Sequence, residues 1–480
     1  MEMHPKIVSR RAFLQTAALA SAGLLLAACQ PQVVKEIVKE TVVVEKEKVV
    51  EREKEVTKVV EKEVTKIVEK EKVVAATAAP AAPTEIVHVD RNIPQDIDFR
   101  KELAKRFMEK NPGITVKIEV QPDDYMATLL ARLASGTAGD EFRYGTHYGL
   151  ANLALRGIFY ALDDFVAKDN YDLGAYFKGA IDACKVEGKL YALPVNGHPG
   201  WSCVYYMPEL FKADNVPEPT DKWTYDDMTQ AAVKLTKSKG GKIDQYGLWV
   251  APYYEATLTP IDAFGGWPMD EQGVKAKYND PNTIAGVRWI WDVMQKSKCA
   301  VPNPSFDSRV QLWSAGKVAM VLSGIWEGSY LGDATPKDKS LKVATGPIGP
   351  SGHRGGFVGV NIFPILRSSK HPYETWLWQK FICSKEVGIE NVKRIGEPGL
   401  RQDVWESPEL ANDPLVRPHY DLLKIVKPMP VPQNGRLSEV ADPIQQIYQG
   451  LWLNEISVDD ACKQIQDKLQ KILDQPKPGL

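Results

Sequence analysis

Three tryptophans in this chain stand where a loop side chain could meet a ligand. Trp201 follows His198-Pro199-Gly200, Trp267 follows Gly265-Gly266, and Trp326 follows Ser323-Gly324-Ile325 and precedes Glu327. Ligands of open α/β sheets bind in loops beyond the strand carboxyl ends, where such residues would sit. An indole plate suits the flat apolar C–H face of a sugar ring, with charged or amide groups at its edge to take the hydroxyls. Tyr148, Tyr253 and Tyr254 also pair a plate with a polar tip, and they fit a cleft or a core equally well. Trp289/Trp291 and Trp376/Trp378 lie on amphipathic helical stretches, where at least one of each pair belongs to packing.

Catalytic signatures are absent from the sequence. There is no G-x-S-x-G elbow, no H-E-x-x-H and no G-x-x-x-x-G-K-[ST], and the seven histidines are scattered. A glycosidase needs only two carboxylates, which spacing cannot exclude, so a carbohydrate hydrolase stays open. With 60 basic and 62 acidic residues, the chain lacks the basic excess of a nucleic-acid groove. Beyond Cys29, the cysteines Cys184, Cys203, Cys299, Cys383 and Cys462 are far apart, with no Cys-x-x-Cys pair. They read as buried single thiols, and neither a metal site nor a cofactor is expected.

The N-terminus carries an address. Arg10-Arg11 within Ser9-Arg10-Arg11-Ala12-Phe13-Leu14 matches the twin-arginine export pattern, and an apolar run to Ala28 follows. Leu26-Ala27-Ala28-Cys29 resembles a lipobox, with Cys29 as the lipid acceptor. The run is shorter than the roughly 20 apolar residues of a span. A lipid anchor on the extracytoplasmic face of the cell membrane is therefore expected, held by more than one acyl chain. Residues 33–74 are low-complexity Val, Lys and Glu, with the near repeats Glu55–Lys62 and Glu63–Lys70. Valine disfavours a helix and an eight-residue period drifts off a heptad, so a solvated spacer is favoured over an oligomerising rod. Ala75–Pro83 reads as the linker to the body.

The body, from about residue 84, is too long for one core and calls for two lobes. Ile86–Val89 reads as a strand. Phe99, Leu103 and Phe107 share a helix face that Asn111-Pro112-Gly113 stops. Residues 114–120 alternate as a strand, and 123–135 form an amphipathic helix closed by Gly136. Strand and helix in alternation mean a parallel sheet covered by helices, so the class is α/β.

Six segments, in order, resemble a known family. They are Phe107–Val116 (FMEKNPGITV), Gly157–Phe165 (GIFYALDDF), Gly188–Pro194 (GKLYALP), Val204–Phe211 (VYYMPELF), Trp223–Asp227 (WTYDD), and Gly316–Met320 continuing to Trp326. Together they resemble the extracellular solute-binding proteins of family 1, the group of the maltose-binding protein, although Met207 replaces the usual Asn. The resemblance implies a two-lobed type II periplasmic-binding fold with hinge crossings near residues 195, 350 and 396. The expected divisions are a signal peptide over 1–28, stalk and linker over 29–83, a first lobe from 84–194 and 351–396, and a second lobe from 195–350 and 397–480. The resemblance also implies a receptor that captures a small solute, with carbohydrate favoured, and delivers it to the permease subunits of an ABC importer. On the same footing Trp201 and Trp326 stack on the solute and Glu327 accepts its hydroxyls. Glycerol phosphodiester, polyamine, or ferric iron held by Tyr205/Tyr206 or Tyr253/Tyr254 remain the alternative solutes.

Overall fold

The computed structural model describes residues 83–121, 125–146 and 149–477, without the side chains of 125–127 and 306. The twin-arginine pair Arg10/Arg11, Cys29 and the stalk lie outside the described residues, as does Tyr148. From Pro83 onward the chain forms one compact unit with two hydrophobic cores.

The first core is built from alternating strand and helix. Strand β1 (Thr84–Arg91) runs into helix α1 (Pro94–Lys110), which leads back to β2 (Ile114–Gln121). Pro94 opens α1, where its missing N–H costs nothing. Phe99, Leu103 and Phe107 face inward and are at most 2% exposed. Each such burial is worth about 1.5–3 kcal/mol, more than an exposed ion pair supplies, so the apolar face seats the helix. β2 lies parallel to β1 along its whole length, from Thr84 opposite Ile114 to Arg91 opposite Gln121. Helix α2 (Tyr125–Ser135) follows, then the short strands β3 (Glu141–Phe142) and β4 (Tyr144–Gly145). β3 completes a sheet of order β2-β1-β3.

The chain then passes through β5 (Asn196–His198) into the second lobe at β6 (Cys203–Tyr206). Helix α3 (Tyr225–Leu235) starts on the Thr224/Asp227 capping box that the sequence spells. After it come β7 (Lys237–Lys239) and β8 (Lys242–Val250), helices α4 (Tyr254–Ala263), α5 (Pro281–Trp291) and α6 (Phe306–Ser314), and β9 (Val318–Ser323). Helix α7 (Glu327–Ala334) and β10 (Lys342–Thr345) complete this stretch. The second sheet has the order β10-β6-β9-β8-β7, with β8 and β9 parallel. The return strand β11 (Gly359–Ile362) pairs antiparallel with β4 and β5, forming a small sheet at the crossing.

The third crossing comes later than residue 396. Helix α8 (Lys385–Ile395) ends at Gly396 in the left-handed region, which reads in sequence as a boundary. Yet Leu400, Val404, Trp405, Leu410, Val416 and Tyr420 all pack in the first core. Residues 397 to about 420 therefore belong to the first lobe; helix α9 (Arg417–Leu423) bridges the two cores, with Tyr420 and Leu423 in the first and Leu422 in the second, and Met429 and Leu437 follow in the second. The terminal helix α10 (Val458–Leu473) packs its Val458, Ala461, Ile465, Leu469 and Ile472 stripe there. All five cysteines of the body are buried free thiols. No described helix is long and apolar enough to cross a membrane.

Candidate binding cleft

Two sets of parallel strand ends supply the site. In the first lobe β1 and β2 finish side by side at Arg91 and Gln121, and the pairing of Val89 with Phe142 puts Arg143 just beyond the neighbouring end. In the second lobe Val250 pairs with Leu322 and Ser323 with Cys203, so the residues after Ser323 leave that sheet's carboxyl edge. Among them, Gly324 has a specific duty. A Cβ there would lie 2.2 Å from the Trp326 ring, so only glycine lets the indole lie against its own turn.

An aromatic wall results. The Trp326 ring stands edge-on to His198 at 4.8 Å and to Trp201 at 5.0 Å, and Trp201 lies 6.3 Å from Phe357. Trp201 packs against the second core. Trp326, although it follows a second-lobe strand, packs against the first. Both rings are half-buried, each with part of its surface open to solvent.

The floor is polar and set by strand register. Asn361 pairs with Asn196 on one side and Gly145 on the other. Opposed residues share a face of a sheet, and so does Arg143, two residues before Gly145. These groups converge on Glu397, whose Oε2 accepts from Asn361 Nδ2 at 3.3 Å, with Arg143 at 3.7 Å and Arg91 at 3.9 Å. Asp96, in the first turn of α1, accepts from Arg91 Nε at 3.0 Å and lies 3.7 Å from Arg143. Beneath them Asp90 meets Arg100 at 3.2 Å, Arg143 at 3.6 Å and His88 at 3.8 Å, and His88 bonds Glu141 at 2.6 Å. Burial alone would raise the Asp90 carboxyl, but the His88 contact, Arg143 and Arg100 outweigh it and hold the group far below the usual range. Burial favours a neutral His88, yet its two carboxylate partners raise it, while burial pushes Glu141 up.

Several polar atoms in this region have no hydrogen-bond partner among the described residues. They include the terminal nitrogens of Arg143 and of Arg100, both amide atoms of Asn196 and of Gln121, His88 Nε2, Glu327 Oε2 and Trp201 Nε1. Leaving a buried polar group unsatisfied costs about 1–3 kcal/mol, so a cluster of them next to a cleft is characteristic of a surface made for hydroxyl- or amide-bearing partners. A cavity of about 270 Å³ opens between the lobes, lined by Arg91, Asp96 and Glu397 on one side and Trp326, Tyr330 and Asp333 on the other.

The residues expected from sequence divide. Trp201 and Trp326 come together, although of the two only Trp326 lines the cavity. Glu327 sits directly behind them rather than in the cavity. It is fully buried, and its Oε1 accepts from Arg309, from Ser323 at 2.8 Å and from Trp326 Nε1 at 3.1 Å. Burial raises its pKa against the pull of Arg309. Its role in the structure is to fix the indole, because the chain turns into α7 there and carries the carboxylate inward. Tyr254 is 1% exposed inside the second core, where α4 begins, instead of at a cleft. Tyr253 is half-buried against the same core, and Trp267 is tied to Thr283 through its backbone; neither lines the cavity. Of the tyrosines weighed for iron, Tyr205 shares a hydrogen bond with His419 at 2.7 Å, whereas Tyr206 donates to Glu218 at 2.9 Å. No group of three His, Cys, Asp or Glu able to hold a metal occurs among the described residues.

Sequence reasoning missed Arg91, Asp96, Arg143, Asn196, Asn361 and Glu397. The available signal was charge at the ends of apolar strands, as in Val89-Asp90-Arg91 and Phe142-Arg143-Tyr144.

The fold and cleft define a two-lobed binding protein. The chain belongs to the bacterial extracellular solute-binding protein family, whose model matches residues 102–418. A protein of Brucella abortus, named only as a binding protein, is 23% identical over 385 residues, 78% of this chain and 90% of its own. Among solved structures, an ABC substrate-binding protein of Listeria monocytogenes in complex with cycloalternan has a TM-score of 0.71 at 20% identity, covering 82% of this chain and 99% of its own. The GacH receptor of Streptomyces glaucescens, solved unliganded and with acarbose, gives 0.70 at 23%, covering 82% and 100%. A maltose-bound protein of T. maritima gives 0.69 at 21%, covering 81% and 100%. These neighbours share the type II periplasmic-binding architecture with this chain.

Proposed function

We propose that this chain is the extracytoplasmic receptor of an ABC importer, holding a mono- or oligosaccharide between its lobes and passing it to the membrane permease. The observation that carries this reading is the Trp201/Trp326 wall beside a polar floor in which both amide atoms of Asn196 and the terminal nitrogens of Arg143 make no hydrogen bond among the described residues. Aromatic plates take the apolar faces of a pyranose, and side-chain donors and acceptors take its hydroxyls. Cycloalternan, acarbose and maltose in the three structural neighbours support the same class of solute. Closure about the three crossings would press Trp326 and Tyr330 toward Asp96 and Glu397, so the solute stabilises the closed form. The chain acts by binding and leaves the sugar intact.

The N-terminus completes the proposal. The Arg10/Arg11 pattern directs export by the twin-arginine route, Cys29 takes the lipid, and the Val/Lys/Glu segment spaces the body from the membrane. Such a spacer would reach on the order of 60 Å if helical. The test is a thermal-shift screen of residues 84–480 against sugars, polyols, phosphodiesters and polyamines. Sugar at a hundredfold excess over its Kd adds about 2.7 kcal/mol of stability. A shift with phosphodiesters or polyamines and none with sugars would overturn the reading.

A further inference from the structure

We infer that the cleft selects an uncharged solute through a carboxylate pair, Asp96 and Glu397, each accepting a hydrogen bond from one of two adjacent hydroxyls, with Arg143 as the positioning residue. This rests on the carbohydrate reading and names the feature of the sugar that the site grips.

The two carboxylates line the cavity although Asp96 is only 4% exposed and Glu397 only 6%. They arrive from distant parts of the first lobe, one on the first turn of α1 and the other beyond Gly396. Each retains acceptor capacity. Asp96 accepts from Arg91 Nε and Glu397 from Asn361 Nδ2, whereas an ionised carboxylate offers about four lone-pair sites. Arg143 stands 3.7 Å from both, too far for hydrogen bonds but close enough to hold the pair electrostatically. Its own position is over-determined by Asp90, which Arg100 and His88 anchor from below.

The charge count decides the selectivity. Arg91 and Arg143 balance Asp96 and Glu397, and Arg100 balances Asp90 beneath them, so this part of the site is neutral before a solute enters. An anionic sugar would bring a third carboxylate against the pair. A cationic one would stand beside two guanidinium groups. Both lose hydration without gaining a matched partner. Asp333 also lines the cavity but is exposed, so water and salt screen it. A neutral diol has neither difficulty, because each hydroxyl donates to a carboxylate while its oxygen can accept from a guanidinium or from Asn196.

The experiment is calorimetric titration of residues 84–480 with maltotriose, mannotriose and cellotriose, with trigalacturonate as the anionic probe and the glucosamine trimer as the cationic one. The wild type should bind at least one neutral trisaccharide about a hundredfold more tightly than either charged probe, two lost charge-assisted contacts at about tenfold each. Glu397→Gln and Asp96→Asn should each weaken the neutral sugar about tenfold or more. Arg143→Met leaves the carboxylate pair short of one cation, so it should widen the ratio between neutral and anionic probes and narrow that between neutral and cationic ones, which a merely structural role would not move. Charged and neutral probes binding equally to the wild type overturn the inference without any variant. So do Glu397→Gln and Asp96→Asn proteins that bind the neutral sugar within twofold of the wild type. If Trp326→Ala then abolishes sugar binding, the carbohydrate reading survives that failure. A wild type that binds none of the five probes removes both.

Discussion

The indoles of Trp326 and Trp201 meet edge to face, 5.0 Å between centroids with planes inclined at 74°. One follows the central strand of the second lobe and the other follows the hinge strand β5. Their meeting point joins the two cores, so a change in lobe angle changes the aromatic wall directly.

Replacing either ring by alanine should separate binding from folding. Trp326→Ala and Trp201→Ala are each expected to weaken sugar affinity by about 2 kcal/mol, the scale of an interface hot spot. Trp289 is 8% exposed and packs edge-on to Tyr225 at 4.7 Å in the second core. Trp289→Ala should instead cost about 3–5 kcal/mol of stability, with affinity of the folded fraction kept. Affinity and melting temperature measured on the same proteins check this. A Trp326→Ala protein that melts early yet binds normally would make that ring packing alone.

Much of this architecture is legible in the sequence for simple reasons. The spacing of Phe99, Leu103 and Phe107, the alternation in β2 and the Thr224/Asp227 cap are local patterns with local causes. Trp201 and Trp326 stand out because glycines precede them. The floor is not legible, since Arg143, Asn196 and Asn361 share a face only through pairings between strands far apart in the chain. Likewise, Gly396 looks like a lobe boundary, but which core receives Leu400 and Trp405 depends on long-range packing.

The crossing sheet should tolerate no extra atoms. A Cβ on Gly359 would lie 2.3 Å from the His198 ring, and one on Gly197 would lie 2.2 Å from the Gly359 carbonyl oxygen. Gly359→Ala should therefore destabilise the body by about 1–3 kcal/mol, as overpacking does. Urea unfolding gives the number, and a stability equal to wild type would contradict the close packing.

Acid should act through His419. This side chain, on the bridging helix α9, bonds Tyr205 on β6 of the second lobe, and burial holds its pKa at about 3 against an ordinary 6.5. Between those values the unfolded chain takes a proton that the folded one refuses, so stability falls as pH drops below 6.5. At pH 5 the share of this one group is about 2 kcal/mol. Moving from pH 7.5 to pH 5, the wild type should lose about that much more than His419→Gln. Parallel unfolding free energies across this range would mean that His419 is not held neutral.

At the membrane, Cys29→Ala should be exported and released, because the proposed lipid acceptor is gone. Fractionation after a high-salt wash checks it, and retention in the membrane would contradict the anchor. The body from residue 84 should match the full mature chain in affinity. A loss beyond about tenfold, 1.4 kcal/mol, would draw the stalk into the binding structure.

The central claim is that the cleft between the lobes holds a sugar reversibly and without chemistry. The most direct measurement titrates residues 84–480 with maltotriose, mannotriose and cellotriose in a calorimeter, then recovers each sugar for mass analysis. Saturable one-to-one binding of at least one of them, with the sugar recovered at its original mass, is the expected result. Cleaved sugar, or no binding of any of the three, would contradict it.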